Sequence, residues 1–481
     1  MSRAIGVALA CALAAHVAPA SAQPRTDPTV GRAVFTGATT PNATSIELDP
    51  AALVLGKSDE FYFSATSVID RLSIQTRTID LATGALGTGP DVSATTLSPG
   101  GTVAWVPHIQ AGSVAVGLAL SSMPISAAPT GVPALQYHVL DLRERAYTGT
   151  FGASIRLADW LLFGASLSYE ARHLHLRYAR DVALASGTGL GNPADTEIVD
   201  VQVHEQTGRL FNWLIPSTDN LSANLGVIVQ FSKDAAPSLV PKFVGVAYHT
   251  VPGVDSVTNE LDGNAVVTQA PSQGGQTVHG AASVVIAEPT VVDGEVRWRI
   301  PHDFDLHLGA RWEDLSRFSA YDVRAFGTGL AAIGVPEWTE RPLGYHDPLA
   351  VWIGAEQVDV GDIEPLRFGA RIGFQTSALP DAATSPMAIA PFSYTLDLGG
   401  QLRLRDRPWL IQATVGVQYF PTVTVADSAY DPRDLADCVA SGYNYSLPAC
   451  ASTRNGYAID TAAGDYSRFE LALRLALHYE Y

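Results

Sequence analysis

The stretch FELALRLALHYEY, residues 469–481, alternates without a break. Phe469, Leu471, Leu473, Leu475, Leu477, Tyr479 and Tyr481 fall on one side, and Glu470, Ala472, Arg474, Ala476, His478 and Glu480 on the other. Strict period-two alternation predicts a β-strand with one apolar and one polar face. The pattern recurs. SYTLDLGGQLRLRD sets Tyr394, Leu396, Leu398, Leu402 and Leu404 against Thr395, Asp397, Gln401, Arg403 and Arg405. PWLIQATVGVQYF sets Trp409, Ile411, Val415, Val417 and Tyr419 against Gln412, Thr414, Gly416 and Gln418. PLRFGARIGFQ sets Leu366, Phe368, Ala370, Ile372 and Phe374 against Arg367, Arg371 and Gln375. Strands of soluble sandwiches run to about five or six residues. These reach the ~9–11 residues of a tilted transmembrane strand, with aromatic residues at the ends of the apolar face.

The connections alternate in length. Asp406–Pro408, Ala158 with Asp159, Pro301–Asp303 and Val360–Pro365 are short. Between them lie long polar segments near 180–219, 251–284, 319–347, 377–390 and 425–465. Short turns at one end and long loops at the other are the signature of an outer-membrane barrel. Counting back from the C-terminus places strands near 466–481, 409–424, 391–405, 365–376, 348–359, 303–318, 285–300, 242–250, 221–232, 160–178, 139–157, 113–124, 100–108 and 59–73. The expected fold is therefore all-β, an antiparallel transmembrane barrel of about fourteen strands, an even number that puts both chain ends on one side.

Two places depart from the pattern. In LLFGASLSYEARHLHLRYA the apolar phase runs on odd positions through Tyr169 and then moves to Leu174, Leu176 and Tyr178. A one-residue shift predicts either a bulge or a strand leaving the membrane. In SVAVGLALSSMP the strand runs into Ser121, Ser122, Met123 and Pro124. Proline cannot donate to the ladder, so pairing is expected to fail or kink there, leaving a side opening.

The first residues change the compartment. Arg3, the apolar run Ala4–Ala15 and the small residues Ala20–Ala22 form a secretory leader, so residues 1–22 are expected to be removed and Gln23 to begin the mature chain. Cys438 and Cys450 are then the two cysteines left, and an even count in an exported chain predicts one disulfide, worth ~3 kcal/mol in the chain-entropy model. The net charge of −18 argues against nucleic acid as a partner. Charged residues are 16% of the chain, against 42 Gly and 17 Tyr, which suits a surface that does not face water everywhere.

The segment TGATTPNATSIELDPAALVLGKSDEFYFS (residues 36–64), with Asp49, Pro50, Ala51, Ala52 and Leu53, resembles the start of the FadL/TodX family of outer-membrane transporters for long-chain fatty acids and other hydrophobic compounds. In that family asparagine is usual where this chain has Asp49. Further matches keep the family's order: Pro107, Val116, Gly117, Leu118 and Pro124; then Asp159, Trp160, Gly164 and Tyr169; then Gly245 and Tyr248; then Trp312, Ser316 and Phe318, with Leu315 where a second Trp is usual. The resemblance implies a monomeric barrel (59–481) whose lumen is plugged by an N-terminal hatch (23–58). It also implies cargo capture by extracellular loops, an apolar pocket, and sideways exit at a kinked third strand, near Ala119–Pro124. Physics points the same way: a large barrel needs filling. At ~25 cal/mol per Å² of apolar surface, cargo leaves into lipid more easily than into water.

Other groups carry less. His173, His175 and Arg177 share a face, but no HExxH helix accompanies them, and they read as rim or lumen polar residues. Arg367, Arg371, Arg403 and Arg474 are candidate partners for a cargo carboxylate, or else braces paired with other lumen charges. No cofactor, metal or catalytic group is expected. The competing functions are an open or substrate-specific porin, an outer-membrane enzyme and a soluble secreted β-protein, the last of which leaves the apolar faces unexplained. Barrel-assembly machinery is expected to read Phe469, Leu477, Tyr479 and Tyr481 as the closing strand, and outer-membrane lipid to surround it. Deletion of Tyr481 should lower the yield of inserted barrel, scored by heat-modifiable mobility of membrane fractions, before it alters transport; normal insertion with lost uptake would refute this role.

Overall fold

The fold was taken from a computed structural model of the chain. It describes residues 37–480 except 42, 57–58, 81–85, 110–112, 129–131, 182–193, 205–220, 232–239, 251–257, 288, 302–303, 319, 336–337, 343, 358–365, 405–406 and 427–457. The leader, the first part of the expected hatch, Cys438, Cys450 and Tyr481 lie outside the described residues.

The strands in chain order are β1 (Glu60–Asp80), β2 (Leu86–Val106), β3 (His108–Ile109), β4 (Val114–Ala128), β5 (Asp141–Ala158), β6 (Leu161–Asp181) and β7 (Thr196–His204). They continue with β8 (Leu221–Gln230), β9 (Phe243–His249), β10 (Thr258–Thr268), β11 (Thr277–Ala287), β12 (Val291–Ile300), β13 (Phe304–Glu313) and β14 (Ala320–Phe326). The last are β15 (Trp338–Pro342), β16 (Leu349–Gln357), β17 (Leu366–Gln375), β18 (Ser393–Arg403), β19 (Trp409–Val425) and β20 (Ala458–Glu480). Fourteen of these form the wall, in the order β1, β2, β4, β5, β6, β8, β9, β12, β13, β16, β17, β18, β19, β20. The ring closes where β20 pairs antiparallel with β1, from Glu60 opposite Glu480 to Asp80 opposite Ala458. Closure leaves the barrel no sheet edge at this junction.

Alternation sets the two faces. Along β20, Arg468, Glu470, Ala472, Arg474, Ala476 and His478 are buried toward the lumen, while Phe469, Leu473 and Leu475 face out. Along β17, Arg371 is buried while Leu366, Phe368, Ile372 and Phe374 are exposed. The outward apolar residues form a continuous band framed by aromatic rows. At the short-turn end, cross-strand register lines up Trp105, Phe61, Tyr479 and Trp409 on β2, β1, β20 and β19. At the other end it lines up Phe469, Tyr419, Tyr394 and Phe374. Ten residues of β20 separate the two rows, ~33 Å along the strand at 3.3 Å per residue, or ~25 Å in height at the usual tilt. That is the height of the lipid-facing band of a transmembrane barrel.

The phase shift in β6 has a definite cause. There is no bulge: β5 and β6 stay in register from Asp141 opposite Arg177 to Arg156 opposite Leu162. Even-numbered residues face inward throughout. Their chemistry changes instead, from Ser166, Ser168, Glu170 and Arg172 to the buried Leu174, Leu176 and Tyr178. The outward face changes the opposite way, from Phe163 and Leu167 to His173, His175 and Arg177. Beyond the apolar band the strand follows ordinary water-soluble rules, apolar in and polar out.

That extension carries a feature not foreseen from the sequence. The segments 180–219, 251–284 and 319–347, expected as loops, contain β7, β10, β11, β14 and β15. The foot of β6 pairs with β8, but its upper part pairs with β7, from His173 opposite His204 to Asp181 opposite Thr196. From β7 the sheet continues through β10, β11 and β14 to β15. Its inner face packs Val199, Val201, Leu261, Val267, Val284 and Val323 with Leu330 and Met387. Strands β14 and β15 have only 7 and 5 residues, and Gly263 interrupts the apolar face of β10, so their alternation is weaker than the wall's.

Leu473→Arg should therefore destabilise the folded barrel by about 2–4 kcal/mol in lipid, as for midplane charges on barrel exteriors. Ser467→Arg, on the same strand and face but beyond Phe469, should cost well under 1 kcal/mol. Urea unfolding in bilayers measures both; equal costs would refute the band's position.

Candidate functional site

Residues 37–56 run through the lumen. A short helix, Ser45–Leu48, leads to Asp49, and a tight helical turn covers Pro50–Leu55. Asp49 caps that turn: its side chain accepts from the Ala51 N–H at 2.9 Å, and Pro50 needs no donor partner at the first position. Ala43, Ile46, Ala51, Ala52, Leu53 and Val54 are buried against Tyr62, Ala104, Ala115, Leu162 and Ile228 of the wall.

The wall makes room for this segment with glycines. Gly117 and Gly152 are cross-strand neighbours on β4 and β5, and Gly164 and Gly226 on β6 and β8. A Cβ at Gly117 or Gly152 would lie 2.9 Å from the Ile46 side chain. At Gly164 it would lie 2.2 Å from the Ala51 nitrogen, and at Gly226 1.8 Å from Asp49 Oδ1. At Gly245, on β9, it would lie 2.7 Å from the Ala38 carbonyl. Wall hydroxyls beside this track satisfy carbonyls of the inner segment: Ser154 Oγ donates to Ala51 O at 3.1 Å and Ser166 Oγ to Ile46 O at 2.8 Å. The Ala43 N–H donates to Glu60 Oε2 at 3.0 Å.

The neighbouring sector of the lumen, starting at β12 beside β9, is charged. Strand β12 turns Asp293, Glu295, Arg297 and Arg299 inward, all buried. Arg297 pairs with Glu295, Asp305 and Glu356 and donates to Thr39 and Thr40 of the inner segment. Arg311 pairs with Asp293 and Glu313, and Arg468 with Asp70 and Glu470. Among the candidate cargo arginines, Arg371 binds Asp397 at 2.8 Å and lies over Trp352, and Arg403 binds Glu480 at 2.9 Å. Arg474 is buried, with Thr66 and Thr414 opposite it in the ladders, and Arg367 is half-buried opposite Gln401. Arg371 and Arg403 thus act first as braces of the wall. Outside the band, His175 Nε2 meets Asp200 at 3.0 Å, and burial beside His204 lowers the pKa of His173. Among the described residues no cluster of His, Cys, Asp and Glu could hold a metal ion.

The stretch around Pro124 forms a seam. Strands β2 and β4 pair from Trp105 opposite Leu118 to Gly101 opposite Ser122, and no further. Beyond that rung, among the described residues, β2 pairs with β1 and β4 with β5. Continuing the register by two residues sets Pro99 opposite Pro124. Neither proline has an N–H to give, so the ladder stops. Strand β4 then slips register against β5 between Pro124 and Ser126. The last rung is held from both sides. Ser121 points inward and donates to Glu47 of the inner segment at 3.0 Å. Ser122 points outward and accepts from Arg145 of β5 at 3.1 Å. Inside and above the seam, Val92 of β2 joins Leu72, Leu135, Ile389, Val423 and Tyr466 in an apolar cluster.

Several of these residues escaped sequence reasoning. Gly117, Gly164 and Gly245 entered only as matches to the family's order, Gly152 and Gly226 not at all, and only a packed partner reveals a track. Glu47, Arg145 and the opposed pair Pro99 and Pro124 become visible only once strand register is known. Proline within an alternating run was the available signal, and the pairing of β4 with β2 does end just before it.

These features define the class: a closed fourteen-stranded antiparallel barrel, with residues 37–41 and 43–56 packed against its inner wall. Within that class the fold is FadL-like. The chain is similar to the crystal structure of a FadL homologue from Pseudomonas aeruginosa, with a TM-score of 0.68 and 14% identity over 96% of this chain and 99% of that one. It is also similar to the Pseudomonas putida toluene transporter TodX, with a TM-score of 0.60 and 11% identity over 97% and 100% of the two chains. The Ralstonia pickettii toluene transporter TbuX gives 0.57 and 14% over 96% and 99%. At such identities the likeness establishes the fold. No family model matches the sequence, and no curated protein does.

Gly164→Val should drive the inner segment off its track, because the new side chain meets the backbone at Pro50 and Ala51. Liposomes bearing the variant should swell in sugar solutions, while those bearing Asp49→Asn, whose amide oxygen can keep the cap, should not. No swelling by the glycine variant would refute the track as the seat of the segment.

Proposed function

We propose that this chain is a passive outer-membrane channel of a Gram-negative bacterium for long-chain fatty acids or other hydrophobic small molecules. The observation that supports the reading is an apolar outer band around a barrel that holds residues 37–41 and 43–56 inside it and whose wall parts between β2 and β4. A segment inside the lumen disfavours straight passage, and the parted seam opens toward the band. Cargo is captured at the long-loop end, where β7, β10, β11, β14 and β15 extend the wall. It then reaches apolar surface above the inner segment and leaves sideways between β2 and β4 beyond Ser122. The solved structures it resembles include a FadL homologue and toluene transporters, which supports hydrophobic cargo and a role as channel rather than enzyme.

The remaining expectations belong to this reading. Residues 1–22 are the leader, 23–58 the hatch and 59–481 the barrel. Asp49–Leu53 hold the hatch, and Cys438 with Cys450 staple the last long loop. The protein works as a monomer, inserted by the barrel-assembly machinery with Phe469, Leu477, Tyr479 and Tyr481 in the closing strand.

Expression in a bacterium lacking its own fatty-acid channel should raise uptake of labelled oleate, toluene or hexadecane over an empty vector. The purified barrel should leave liposomes impermeable to sugars. Rapid sugar flux would favour a porin, and no gain for any of the three cargoes would remove the transport reading.

A further inference from the structure

Arg145 stands on the outward face of β5, two residues beyond Tyr147 and opposite Pro124 in the ladder. Its side chain reaches over β4. Nη1 donates to Ser122 Oγ at 3.1 Å and Nη2 to the Pro99 carbonyl of β2 at 3.3 Å. One guanidinium therefore ties β2 to β4 and β5 at the point where two opposed prolines prevent the backbone from doing so.

Its partners are unusual for this protein. Arg143 and Arg177, also outward near this end, bind Asp141 and Asp200, and the inward Arg172 binds Glu144 and Glu170. Among the described residues Arg145 has no carboxylate partner, in a chain of net charge −18. Both of its acceptors are neutral, and the one on β2 is at the long end of the hydrogen-bond range. A bidentate carboxylate contact is shorter and roughly twice as strong as such neutral contacts. Tyr147, on the same face, belongs to the aromatic margin of the apolar band, the depth at which an amphiphile keeps its carboxylate in the interface and its tail in lipid.

We infer that Arg145 is a latch across the seam between β2 and β4, released by a carboxylate on the cargo. The exit is thereby selective for anionic amphiphiles such as fatty acids over neutral hydrocarbons. This rests on the lateral-release reading above and adds the cargo class to it. A carboxylate draws the guanidinium from the Pro99 carbonyl, β2 is freed from β4, and the tail passes between them. A hydrocarbon brings no acceptor and leaves the latch shut.

The test compares the full chain with Arg145→Met and Arg145→Lys, each first shown to insert as a heat-modifiable barrel. Arg145→Met, which removes the latch, should raise hexadecane uptake about tenfold toward that of oleate, and Arg145→Lys should keep part of the preference for oleate. Equal losses for both cargoes, or an unchanged preference for oleate over hexadecane, would overturn the latch. A second readout does not depend on transport. A fatty acid carrying a diazirine beside its carboxylate is photolysed with the barrel in vesicles and mapped by peptide mass. Label around 97–101, 120–124 and 145–149 that disappears in Arg145→Met supports the latch even if the wild-type chain takes up neither cargo, a result that would count against the transport reading alone. Label elsewhere, or label unchanged in the variant, overturns it.

Discussion

Every backbone N–H and C=O inside a bilayer must find its partner within the protein. The architecture follows from this demand. Fourteen strands give each other their hydrogen bonds, and the pairing of β1 with β20 removes the edge that an open sheet would leave in lipid. The same demand makes the seam between β2 and β4 informative. Proline needs no donor partner, so a ladder can end at Pro99 and Pro124 with fewer stranded N–H groups than any other residue pair would leave. Arg145 then supplies donors from a side chain to the Pro99 carbonyl. The wall parts at a place where parting is chemically cheap.

The second organising fact is the exchange of inside and outside chemistry along single strands. Strand β6 is one continuous ladder, yet its two halves obey opposite rules. Where lipid surrounds the barrel, polar groups point inward and serve the inner segment and the ion pairs. Where water surrounds it, apolar groups point inward and build a conventional core with β7, β10, β11 and β14. The lumen therefore has a polar, glycine-lined lower storey and an apolar upper one.

Much of the fold was legible because lipid exposure imposes so regular a pattern. All fourteen wall strands were found, but β1 runs on to Asp80, β2 starts at Leu86 rather than near 100 and β20 at Ala458 rather than near 466, because beyond the apolar band the alternation that marks them changes. The five strands beyond the wall were read as loops, since β14 and β15 have only 7 and 5 residues and the apolar face of β10 is interrupted by Gly263. The phase change at Leu174 was visible, but alternation alone could not separate a bulge from a change of solvent; register did. At the site, Pro124 and the Asp49–Leu53 stretch stood out as local departures. The partners that give them meaning come from distant parts of the chain. Gly226 lies under Asp49, and Arg145 over Pro99, only after the sheet has closed.

The glycine track also bears on how the molecule assembles. Its five members sit on β4, β5, β6, β8 and β9, so the seat of residues 37–56 does not exist until that whole sector has paired. The segment precedes all five of these strands in the chain, so the surface it fits comes entirely from residues that follow it. Seating therefore needs β9 in place but not the closing strand, and a barrel caught before β9 has joined would be empty as well as unclosed.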